Sequence, residues 1–102
     1  MAYAIKRTFD VDPPETVSGG TVRTIQDGIA ASRRVREVSV RGDLTGDALA
    51  RLQVAVVVDA ADSGKAGRLA RQAIRDAIRS TRLSVRSFRV TSGSGREVRP
   101  SG

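Results

Sequence analysis

The sequence predicts an α+β fold in which two helices cover one face of a four-stranded antiparallel sheet. Three observations carry this expectation. Apolar residues alternate at period two from Tyr3 to Val11 and from Leu52 to Val58, they recur every three or four positions from Ala66 to Ile78, and the segments follow one another as strand, helix, strand, strand, helix, strand. Period two puts alternate side chains on one side of a strand, and a spacing of three or four puts them on one side of a helix, so each apolar set needs one partner layer.

The first strand spans Ala2 to Val11, with Tyr3, Ile5, Phe9 and Val11 on one face, Arg7 interrupting that set, and Ala4, Lys6, Thr8 and Asp10 on the other. Asp12-Pro13-Pro14 is expected to end it, because proline withholds a ladder donor. After Ser18-Gly19-Gly20, the spacing of Val22, Ile25 and Ile29 predicts a helix to about Arg33, weakened by Gly28. Val38, Val40 and Leu44 then alternate with Ser39 and Arg41, and Thr45-Gly46-Asp47 turns the chain into a strand over Leu49 to Ala60. That strand is the most apolar and is expected to be central. Leu44, Ala48, Leu49 and Leu52 also fit a short helix, which Gly46 disfavours.

Asp62-Ser63 caps a second helix whose stripe is Ala66, Leu69, Ala70, Ala73, Ile74, Ala77 and Ile78. Burying each of Leu69, Ile74 and Ile78 contributes about 1.5–3 kcal/mol before entropy is subtracted. Phe88 and Val90 mark a short last strand. Ser92-Gly93-Ser94-Gly95 then opens a polar stretch ending in Pro100-Ser101-Gly102, so the expected organisation is one α+β domain over 1–91 and a mobile tail over 92–102. This element order is the split βαβ, or ferredoxin-like, arrangement.

A chain of 102 residues suits one domain with a modest core. It has neither cysteine nor histidine, which removes thiolate chemistry, the commonest metal ligand and the usual base near neutral pH. No apolar run is long enough to span a bilayer, so a soluble cytoplasmic protein with no membrane partner is expected. The net charge is +7 and uneven. Residues 1–62 carry eight basic and nine acidic side chains, whereas 63–102 carry ten and two. Such asymmetry attracts nucleic acid or another polyanion, and it equally solvates a helix.

Candidate motifs are few. Asp59-Ala60-Ala61-Asp62-Ser63-Gly64-Lys65-Ala66 stands at a strand-to-helix junction, but a phosphate-cradling loop needs glycine and a hydroxyl where Asp59 and Ala66 stand. Its aspartates resemble hard-metal ligands only weakly, and capping explains them. Gly19-Gly20 suits an irregular loop, and Ser92–Gly95 lacks nucleophile-elbow spacing. No catalytic residue, cofactor site or metal site emerges.

Two surfaces stand out. Arg68, Arg71, Arg75, Arg79 and Arg82 form a ridge along the second helix, a candidate polyanion site because each guanidinium can fork onto phosphate. On the open side of the sheet, strand parity collects Lys6, Arg41, Arg51, Ala55, Val57 and Arg89 with Thr8, Ser39 and Gln53, a candidate interaction face. It lacks the aromatics on which RNA bases stack. The resulting expectation is a non-enzymatic protein acting by association, as a homo-oligomer or part of a larger assembly, with nonspecific nucleic-acid binding through the arginine ridge as the alternative.

Overall fold

The computed structural model describes residues 1–18 and 20–98. Its elements are β1 (Ala2–Thr16), α1 (Thr21–Ala30), β2 (Val35–Thr45), β3 (Ala48–Asp59), α2 (Ser63–Arg79) and β4 (Phe88–Val98), the last entered through a single 3-10 turn at Val85–Ser87. The strands form one antiparallel sheet in the order β2-β3-β1-β4. This is the expected βαββαβ architecture, with the two most apolar strands in the middle.

Strand parity builds the core. Tyr3, Ile5, Phe9 and Val11 of β1 and Leu52, Val54, Val56 and Val58 of β3 are buried on the side where Ile25 and Ile29 of α1 and the α2 stripe are buried. Four of the buried α2 residues are alanines, Ala66, Ala70, Ala73 and Ala77, which lets the helix lie close to its neighbours. Gly28 completes that fit: a Cβ there would stand 3.0 Å from the Cβ of Ala77. The Asp62 carboxylate accepts the Lys65 N–H at 2.8 Å and starts α2, as its position before the stripe predicts. Gly46, at φ 64°, makes the tight β2–β3 turn, and the alternative helix over Asp43 to Leu52 does not form.

Three boundaries differ from expectation. β1 does not stop at Asp12-Pro13-Pro14 but continues to Thr16. Its ladder to β3 breaks after Asp10 and resumes at Glu15↔Leu49, so the prolines occupy an irregularity where no donor is required. Helix α1 ends at Ala30 rather than near Arg33, because Ser32, Arg33 and Arg34 bring nothing apolar to bury and the chain must turn into β2. The third difference is the largest: β4 extends past residue 91 and pairs with β1 as far as Ala2↔Val98, so Ser92 to Val98 are strand rather than tail. The ladder consists of backbone hydrogen bonds, which serine and glycine make as well as any residue. The remaining tail residues, 99–102, and Gly19 lie outside the described residues. The start of β4 is fastened to the end of β1 by Glu15, which accepts the Ser87 hydroxyl at 2.7 Å and the Ser84 N–H at 3.1 Å.

No helix among the described residues is long and apolar enough to cross a membrane.

Candidate functional site

Arg7 occupies a position that an apolar residue would be expected to fill. It lies in the helix-facing set of β1, between Ile5 and Phe9, across from Val54 on β3 and from Gly93 on β4. Its Nε is shut off from solvent and has no hydrogen-bond partner. The ion pairs among the described residues, Arg36–Asp59 at 2.8 Å and Arg51–Asp10 at 3.2 Å, do not include it. Leaving such a donor unsatisfied costs about 1–3 kcal/mol, and packing gives no reason to accept that cost.

Space for a ligand opens beside it. On the helix-facing side of β4 the residues opposite Ile5 and Arg7 are Gly95 and Gly93, and the nearest turn of α2 contributes Ala66 and Gly67. A Cβ at Gly93 would stand 3.3 Å from Arg7 Nη1, and one at Gly67 would stand 3.8 Å from Nη2. The guanidinium therefore sits between two glycines, one on the strand and one on the helix. Around it is a cavity of about 430 Å³, walled by Tyr3, Ile5 and Arg7 of β1, Ser63, Ala66 and Gly67 of α2, and the backbone of β4 at 93–95.

A half-buried guanidinium in the wall of a cleft can hold and stabilise an oxyanion, because its planar fork offers two parallel N–H donors to the oxygen atoms. The Tyr3 hydroxyl points away to Met1 Sδ, at 3.9 Å. Among the described residues no cluster of three His, Cys, Asp or Glu stands ready to hold a metal ion.

A second cavity, about 520 Å³, lies where β1 leads into α1, lined by Thr16, Val17, Ser18, Thr21, Thr24, Thr81, Arg82 and Leu83. Its hydroxyls are largely engaged already. Ser18 and Thr21 bond each other at 3.0 Å, Thr24 donates to the Gly20 carbonyl at 3.0 Å, and Thr81 donates to the Ile78 carbonyl at 2.6 Å. No buried donor in it awaits a partner.

The residues singled out by sequence fall elsewhere. Arg68, Arg71, Arg75 and Arg79 are exposed along α2, and Arg82 is exposed in the turn that follows it. Lys6, Arg41, Arg51, Ala55, Val57 and Arg89 do share the open face of the sheet, with Ala55 and Val57 half-buried and Arg51 paired to Asp10. Asp59 is held by Arg36, and Asp62 is a helix cap. Neither set touches the Arg7 cavity. The sequence reading missed Arg7, Gly67, Gly93 and Gly95. Arg7 carried a usable signal, as the one charge in an otherwise apolar alternating set.

No family model matches the chain, and no curated protein matches it. Among solved structures, a "putative Antibiotic biosynthesis monooxygenase" from Chloroflexus aurantiacus J-10-fl matches over 100% of this chain and 98% of that one, with a TM-score of 0.53 and 18% identity. At that identity the likeness shows the fold, which is the ferredoxin-like one. It also corrects the functional expectation. The non-enzymatic reading rested on the absence of histidine and cysteine and of a recognisable ligand site, whereas the architecture is shared with a protein described as an enzyme and a cleft with a half-buried arginine in its wall is present.

Proposed function

We propose that the protein is an enzyme that binds a small organic substrate in the cleft between β1, β4 and α2 and carries out an oxygenation. The observation behind this reading is the Arg7 guanidinium, buried at its Nε without a partner and facing a cavity that Gly93 and Gly95 leave open. The reaction class is taken from the description of the solved neighbour. With neither histidine nor cysteine in the chain, the cleft depends on electrostatics. An enol or phenol oxygen held against Arg7 gives up its proton to water more readily, and the resulting electron-rich anion reacts with dioxygen, which oxidises a C–H carbon of the substrate to C=O, leaves one oxygen atom there and releases the other as water.

Oxygen uptake by the full chain, measured with a panel of enols and phenols, tests this. Wild type should turn over at least one member, and Arg7→Gln and Gly95→Val should each reduce its rate at least tenfold. Undiminished turnover in both variants would place the chemistry elsewhere. We further propose that a second copy of the enzyme covers the open sheet face, where small side chains at Ala55 and Val57 are ringed by Lys6, Glu37 and Arg41. The mass of a single chain by light scattering at high concentration would refute this.

A further inference from the structure

The cleft's lining carries a single charge, that of Arg7, with an acid just past the opposite end, and that asymmetry identifies its ligand more closely. Moving along the helix-facing side of β1 from Arg7 through Ile5 to Tyr3, the residues opposite on β4 are Gly93, Gly95 and Glu97. A single cation thus stands at the inner end. Ile5, the Tyr3 ring and Ala66 form the apolar middle, and just beyond the cleft's lining the exposed Glu97 is the strand partner of Tyr3. Four residues of extended strand separate the two charged positions, roughly 13 Å at the usual rise.

We infer that the cleft selects a singly charged acid with a flat apolar body, its oxyanion on Arg7 and its uncharged end toward Tyr3 and Glu97. This rests on the enzymatic reading of the same cleft and adds the substrate class to it. One arginine balances one negative charge, and its planar fork suits a carboxylate or an ionised enol. The glycines determine the shape. With no side chain at 93 or 95, the wall along β4 is bare backbone, against which a flat body can lie, while Ile5 and Ala66 offer it apolar surface. A second acid at the far end would meet Glu97 as a like charge, so a rod-shaped diacid is disfavoured.

The test uses three probes with one biphenyl body on the full chain: biphenyl-4-carboxylate, its isosteric neutral carboxamide, and the longer biphenyl-4,4′-dicarboxylate, for which Glu97→Gln separates charge from size. Binding is followed by amide chemical shifts in low-salt buffer. The monocarboxylate should move Gly67, Gly93 and Gly95 saturably and bind at least tenfold tighter than the carboxamide, an advantage lost in Arg7→Gln. It should bind about threefold tighter than the dicarboxylate, and Glu97→Gln should remove that difference. Gly95→Val should abolish binding of all three probes, because its Cβ stands 3.6 Å from Ile5 Cγ1, an ordinary contact, and the larger side chain fills the cleft with the fold intact. If the carboxamide binds the same glycines as tightly as the acid, or the diacid as tightly as the monoacid, the substrate class is wrong while the cleft stands. If none of the probes moves Gly67, Gly93 or Gly95, or if Gly95→Val leaves those shifts unchanged, the cleft itself is wrong, and the enzymatic reading falls with it.

Discussion

If Arg7 is retained for a ligand rather than for the fold, replacing it by an apolar residue of similar length should stabilise the protein. Arg7→Met keeps an unbranched stem between Ile5 and Phe9, where the neighbours Val54, Ile5 and Phe9 are already buried and apolar. It removes a donor at Nε that is hidden from water and bonded to nothing. Recovering the desolvation cost of that one donor contributes about 1–3 kcal/mol. For a domain of this size that corresponds to a rise in melting temperature of about 5–15 °C. Urea denaturation of wild type and variant at one pH and ionic strength measures the difference, with equal m-values required for the comparison to hold. A loss of about 1 kcal/mol or more would refute the reasoning, since it would mean that the guanidinium supports the fold through partners of its own.

Two further outcomes follow from close approaches and from the sheet edge. Gly42→Ala should destabilise the fold by about 1–3 kcal/mol as overpacking, because the new Cβ would stand 2.7 Å from Val22 Cγ2 and 2.9 Å from Leu49 Cδ1; an unchanged denaturation midpoint would show that α1 shifts freely over β2. Ending the chain after Thr91 should lower the melting temperature and speed hydrogen exchange at the amides of β1 that face β4, since it strips the partner from residues Ala2 to Thr8; unaltered exchange there would return 92–98 to the status of a tail.

The architecture was legible because its core is written in side chains. The alternation of Tyr3, Ile5, Phe9 and Val11, that of Leu52 to Val58, and the stripe from Ala66 to Ile78 each state a face, and the structure buries those faces together. β4 was only half legible for the opposite reason. Beyond Phe88 its described side chains are all exposed, so no burial pattern records a strand that is held by its backbone. The cleft was less legible still. Two of its walls consist of side chains that are missing, at Gly67, Gly93 and Gly95, and glycine beside serine reads as a linker when the opposing strand is unknown. Arg7 was visible as a break in a pattern, but a break becomes a site only when the space beside it is seen. The arginines of α2 drew attention because they are numerous, yet they face outward from a helix whose other side fully accounts for its place in the fold.

Because β4 forms a wall of the cleft while its described side chains beyond Phe88 are exposed, the lining of the cleft can be changed there with little change to the core. A substitution at Ile5 or Ala66 alters the ligand's surroundings and the packing at once, and is constrained by both. One at Gly93, Gly95 or Glu97 acts mainly on the cleft and its rim, since the new side chain stands outside the core. On the proposed reading of the cleft, descendants of such a chain can change the size, polarity or charge of what they accept by drift along a single edge strand. The same three positions are the economical place to begin a directed-evolution library.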